Sequence, residues 1–98
     1  MKIACIVPHL LGYGGIRRFL ELGNEFVKLG HEWNIYPCTI YQEQVNPLDW
    51  FEFHGNIKLH WSDIIENDVL IIGDTTLFHY FNKWPKLKIM YVISTSPA

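Results

Sequence analysis

The 98-residue sequence predicts an α/β fold, a Rossmann-like parallel sheet in the order 3-2-1-4-5 with flanking helices. Three observations carry that prediction. Apolar, β-rich runs stand at Lys2–Val7 and Asp68–Gly73, the composition of parallel strands covered on both faces. Between them lies a segment of helical period, with Ile16, Phe19, Leu20, Gly23, Phe26 and Val27 spaced at three and four. Strand-like and helix-like stretches then alternate along the chain, as they do in βα units.

Each element has its own local reason. Pro8 ends the first strand, and His9 to Gly15 form a loop. The helix runs from Ile16 to Leu29, with Arg17, Arg18, Glu21, Glu25 and Lys28 on its polar side. Gly30 suits the left-handed residue that closes a helix. Glu32 to Tyr36 is the second strand, ended by Pro37, so the opening unit is β-loop-α-β with parallel strands. Tyr41 to Gly55 reads as a long connection with a short irregular helix. Ile57 to Trp61 is a third strand and Ser62 to Asn67 a connecting turn. Asp74 caps a helix from Thr75 to Trp84, Pro85 stops it, and Lys88 to Ser94 is the fifth strand. The whole is one domain, residues 1–98, or a fragment of one.

Composition excludes several classes. Hydrophobic residues are 49% and charged residues 18%, which is not the balance of a disordered chain. A net charge of −2 argues against nucleic acid, whose phosphates select a basic face. Cys5 and Cys38 make no disulfide framework. The apolar start is too short for a secretory signal, and no stretch reaches membrane-spanning length. The expected location is the cytoplasm, with two free thiols.

In this strand order, ligands bind at the carboxyl ends of the strands, at the switch between strands 1 and 4. That brings Pro8–Gly15, Asp74–Thr76 and Ser94–Ser96 to one crevice. Gly12, Gly14 and Gly15 let the backbone turn and approach a ligand closely. The following helix start exposes N–H donors with no Ser, Thr, Asp or Asn to cap them. Arg17 and Arg18 stand in that first turn, where cations are disfavoured by about 0.3–1 kcal/mol each. A phosphate or carboxylate at the loop would offset that cost; solvation, with Arg17 paired to Glu21, is the simpler account. His9 either reaches the crevice or lies on the surface, and Asp74 either contacts ligand or only caps its helix. His54 and His60 with Asp49 and Glu52 fit no metal spacing. Trp50, Phe51 and Phe53 read as core packing under the long connection, or as a patch for an acceptor or a membrane.

Three sharper motifs are absent. A dinucleotide fingerprint would place glycine where Arg17 stands and an acid where Tyr36-Pro37 end strand 2. No Gly-Lys-Ser/Thr is present for a phosphate-binding P-loop. A cysteine phosphatase would hold its cysteine beyond the strand, whereas Cys5 lies within it.

The strand Lys2-Ile3-Ala4-Cys5-Ile6-Val7-Pro8, the Gly12-Tyr13-Gly14-Gly15-Ile16 loop and the run Glu21 to Glu32, ending Leu29-Gly30-His31-Glu32, resemble the opening of retaining glycosyltransferases of family 4. The likeness is strong over residues 1–36 and weaker over 68–94. The turn Asn82-Lys83-Trp84-Pro85 is similar to one in members that build rhamnose-containing surface polysaccharides. The resemblance implies part of the N-terminal domain of a two-domain GT-B enzyme. That domain holds a glycan or lipid-linked acceptor, and Gly14 and Gly15 would line the cleft beside the diphosphate of a nucleotide sugar. The family implies no metal and no cofactor beyond that donor, and it allows peripheral membrane contact. It further implies that this chain, lacking a donor domain, is inactive alone and prone to self-association. Histidines that many members carry at the end of strand 4 and after strand 5 are replaced here by the Ile71–Gly73 segment and Ser94. The alternative is a self-contained flavodoxin-like module binding a phosphorylated ligand.

Overall fold

A computed structural model of the chain describes residues 1–10, 15–39, 48–73 and 79–90. Five strands form one sheet: β1 (Lys2–Val7), β2 (Glu32–Pro37), β3 (Asn56–Ile57), β4 (Val69–Ile72) and β5 (Leu87–Met90). The order is β3-β2-β1-β4-β5 and every pairing is parallel, the topology predicted from sequence. Helix α1 (Ile16–Lys28) joins β1 to β2, and a 3₁₀ turn (Ile64–Glu66) precedes β4.

The alternation of side chains divides the core in two. Ile3, Cys5 and Val7 of β1, Trp33 and Ile35 of β2, and Val69 and Ile71 of β4 face α1. There they meet Ile16, Phe19 and Leu20, the apolar stripe of the helix. Ala4, Ile6, Tyr36, Leu70 and Ile72 point the other way, to Trp61, Ile64, Phe81 and Trp84. Cys5 is buried, and that burial pushes its thiol far above the ordinary range; Cys38 is exposed.

The second face also carries a polar chain. Asn34 is buried; its Nδ2 donates to Glu32 Oε2 and to Asn67 Oδ1, each at 2.8 Å, and its Oδ1 accepts from Asn56 Nδ2 at 2.9 Å. Asn67 donates onward to Tyr36 Oη and the Ile64 carbonyl, both at 3.0 Å. The Tyr36 hydroxyl donates to Asp63 Oδ1 at 3.1 Å, and Lys58 Nζ holds the other carboxylate oxygen at 3.2 Å. A buried amide left unpaired costs about 1–3 kcal/mol, so these bonds are a condition of Asn34 facing inward.

Three elements differ from expectation. β3 spans Asn56–Ile57 rather than 57–61. After it the chain turns so that Trp61 can cover the second face, against Tyr36 and Phe81. The described part of the long connection, 48–55, holds turns and bends and no helix. The helix expected to reach Trp84 is helical at 79–80 and gives way to turns at 81–83, closed by Asn82 N–H to His79 C=O and Trp84 N–H to Phe81 C=O. Pro85 disfavours helical backbone at Trp84 before it. β5 is described as Leu87–Met90, and the rest of the expected 88–94 strand lies outside the described residues.

Helix α1 comes close to the sheet at Gly23. A Cβ there would stand 2.6 Å from Cδ1 and Nε1 of Trp33, whose fully buried ring stacks on Phe26 at 5.4 Å. The ring pays for that fit with its indole N–H, which has no hydrogen-bond partner. Alanine would favour the isolated helix by about 1 kcal/mol, but it must displace a packed indole. Gly23→Ala is therefore expected to lower stability by about 1–3 kcal/mol, measured by urea unfolding followed through tryptophan fluorescence.

Asp63 and Tyr36 make stability pH-dependent at both ends. Partial desolvation pulls the Asp63 carboxyl up, but hydrogen bonds from Lys58 and Tyr36 and the Lys58 charge outweigh it and hold the group low. Its stabilisation is present above the unfolded value, about 3.9, and is lost as pH falls below it. Burial foremost pushes the Tyr36 phenol up to about 12, helped by Asp63 and Glu32 and opposed by Asn67. That contribution is full below about pH 10 and is lost as pH rises toward the folded value. Thermal midpoints against pH should show both limbs, with Asp63→Asn flattening the acid limb and Tyr36→Phe the alkaline one.

Candidate functional site

The carboxyl ends of β1, β2 and β4 meet at one edge of the sheet, and β1 pairs with β2 on one side and β4 on the other. This is the switch point expected from the strand order. Past β1 the chain is braced from β2. The Cys38 N–H donates to the Val7 carbonyl at 2.8 Å, and Thr39 donates to the Pro8 carbonyl through Oγ1 at 2.9 Å and through N–H at 3.2 Å. Trp50 Nε1 donates to the carbonyl of buried Leu10 at 2.9 Å. His9 sits half-buried inside this bracing. Thr39 and Trp50 as braces are legible only in three dimensions, because nothing local to either marks a bond to the first loop.

Gly15 is the N-cap of α1. Its φ of 82° is left-handed, a conformation that costs a side chain about 1–2 kcal/mol, which explains glycine at this position. No side chain caps the helix, and no acid lies in its first turn. The Arg18 N–H already donates to the Gly15 carbonyl at 3.1 Å, closing the first turn. The helix therefore opens with its positive dipole end toward the carboxyl edge of the sheet. Gly30, at φ 89°, closes the other end as expected.

The two arginines separate. Arg17 Nε lies 3.6 Å from Glu21 Oε2, the pairing one turn on, and its guanidinium stands 5.8 Å from the centre of the Phe51 ring. Its presence in the first turn thus has a structural account. Arg18 is exposed on the same turn, and among the described residues no ion pair holds it. Of the pair, Arg18 is the cation available to an incoming anion. Gly12, Gly14, Asp74, Thr75, Thr76 and Ser94–Ser96 lie outside the described residues.

The other candidates resolve more simply. Phe51 and Phe53 pack against the α1-side core, whereas Trp50 is 37% exposed. His54, His60, Asp49 and Glu52 are not gathered: among the described residues no three His, Cys, Asp or Glu side chains could hold one metal ion. No helix among the described residues is long and apolar enough to cross a membrane. A groove of about 570 Å³ lies away from the switch point, along β3, between Phe51, Phe53 and Lys58. Its cation, Lys58, is engaged by Asp63, so it offers less to an anion than the first turn of α1 does.

The different surroundings of the arginines predict different stabilities. Arg18→Ala removes a cation from the positive end of a helix and should leave stability unchanged or raise it by about 0.3–1 kcal/mol. Arg17→Ala also loses an exposed ion pair and a ring contact, and a net loss of about 0.5 kcal/mol is expected. Urea midpoints of the two variants measure the difference.

No protein-family model matches the chain, and the searches of curated proteins and of solved structures return no match either.

Proposed function

We propose that the chain is the acceptor-side, N-terminal part of a GT-B glycosyltransferase that moves a sugar from a nucleotide sugar to a glycan or lipid-linked acceptor, in surface polysaccharide synthesis. One observation carries the reading: α1 starts at a left-handed, side-chain-uncapped Gly15 beside the switch point of a parallel sheet. Such a helix start favours an anion through its dipole and its N–H donors. The diphosphate of the donor is the anion this reading places there, with Gly14 and Gly15 as backbone contacts and Arg18 as the side-chain cation. The resemblance of residues 1–36 to family 4 enzymes supplies the substrate class. In such a protein transfer also uses a donor domain, and residues 1–98 are read as the part that holds the acceptor and lines the cleft beside the diphosphate.

The reading is tested by NMR titration of the chain with uridine diphosphate and with inorganic pyrophosphate. Amide shifts clustered at Gly15–Arg18 and near His9, with millimolar affinity that Arg18→Ala weakens several-fold, are expected of half a cleft. Shifts elsewhere only, or none, would sink the proposal. Micromolar affinity from the chain alone would instead favour the self-contained phosphate-binding module.

A further inference from the structure

We propose that the groove along β3 is a binding site for a neutral saccharide ring, held against Phe51 and Phe53 by hydrogen bonds to Glu52, Asn56 and Lys58. The groove has a volume of about 570 Å³. That lies within the range of small-ligand pockets, about 300–1,000 Å³. Its lining mixes two characters. Phe51 and Phe53 contribute half-buried apolar surface, whereas Glu52 and Asn56 are exposed.

These walls are fixed before a ligand arrives. The Asn24 side chain of α1 donates to the Glu52 carbonyl at 2.9 Å and accepts from the His54 N–H at 2.8 Å, which ties this strip to the helix. The Phe51 ring lies under the Arg17 guanidinium, and both phenylalanines pack on the α1-side core. Gly55 completes the cradle. A Cβ there would stand 2.5 Å from Phe53 Cζ and 2.8 Å from the Trp33 carbonyl oxygen, so the missing side chain gives the Phe53 ring its place. Little ordering is then left for binding to impose.

The polar groups select the ligand. Among the described residues no ion pair holds the Glu52 carboxylate. Asn56 donates through Nδ2 to Asn34 Oδ1 at 2.9 Å, which orients the amide and leaves its Oδ1 to accept. Lys58 Nζ gives one N–H to Asp63 Oδ2 at 3.2 Å and keeps further donors. An anion would meet Glu52, and a cation would meet Lys58 and the Arg17 guanidinium. A hydroxyl both donates and accepts, so a neutral ring of hydroxyls serves Glu52, Asn56 and Lys58 together. The C–H groups of such a ring suit the negative faces of the phenylalanines. A surface groove taking a single ring binds it weakly, in the millimolar range. The site lies away from the switch point and does not depend on the glycosyltransferase reading.

NMR titration of the 98-residue chain with the methyl glycosides of glucose, galactose, mannose and rhamnose, each to about 50 mM, tests it, with uridine as a flat, neutral comparison. The expected result is amide shifts centred on Phe51–Lys58 for at least one glycoside, with binding several-fold weaker in Phe53→Ala and weaker still for uridine. Glu52→Ala alters only an exposed side chain and covers the case in which Phe53→Ala fails to fold. It too should weaken binding several-fold while the circular dichroism spectrum is kept. No shift with any of the glycosides, shifts centred elsewhere, uridine bound as tightly, or undiminished binding by Glu52→Ala would each overturn the proposal. Shifts at Gly15–Arg18 with uridine diphosphate report on the other reading, so either can fail alone.

Discussion

β1 has to be covered twice, and the rest of the structure is arranged around that constraint. Its backbone is paired by β2 on one side and β4 on the other, and Ile3 to Val7 are all buried. A strand so placed contributes about 1.5–3 kcal/mol for each large apolar side chain removed from water, but only if both faces find cover. The two covers differ. One face receives a thirteen-residue helix with a continuous apolar stripe. Among the described residues, the other receives a 3₁₀ turn, Trp61, Phe81 and Trp84, from segments far apart in sequence.

The buried polar groups collect on that side. Among the described residues, the segments over it present Trp61, Ile64, Phe81 and Trp84. The space under them is taken by Asn34, Asn67 and Tyr36, joined to Asp63, Lys58 and Glu32. That chain also fixes register. A one-residue slip of β2 would turn Asn34 toward α1 and Trp33 away from it, breaking the bonds that join Asn34 and Tyr36 to Asn56, Asn67 and Asp63. Trp33 and Asn34 are neighbours with opposite solutions. Asn34 is buried because its amide is satisfied; Trp33 is buried with its N–H unpaired, because Gly23 and Phe26 give its ring close contact.

What was legible in the sequence follows from these differences. β1, α1, β2 and β4 could be read because unbroken apolar runs and a stripe of helical period are local signals. The left-handed Gly30 could be read for the same reason, whereas Gly15 could be read only as a loop glycine and not as the left-handed cap of α1. β3 and the end of the segment before Pro85 could not, because their limits depend on where Trp61, Phe81 and Trp84 must go to close the second face. The site divides in the same way. The Arg17–Glu21 pair is an i, i+4 spacing visible in the sequence, whereas the Phe51 ring under Arg17 comes from a loop that only the fold brings there. Two adjacent arginines in one helical turn look alike as letters; both are exposed, and Arg17 has an ion pair and a ring contact where Arg18 has no ion pair among the described residues.

That distinction bears on what the carboxyl edge can do. An anion-binding turn works best when its donors are held before the ligand arrives, since ordering a loop on binding costs affinity. Here the chain leaving β1 is tied by Cys38 and Thr39 of the neighbouring strand and by Trp50 from the loop behind it. The helix that follows is anchored through Ile16, Phe19 and Leu20 in the core. Arg17 joins the bracing through Glu21 and Phe51, so it adds rigidity where it adds charge. The positive end of α1 is thus fixed on a rigid support, and its cation without an ion pair among the described residues is Arg18. The geometry around β1 that the core requires is the same geometry that holds this turn at the switch point.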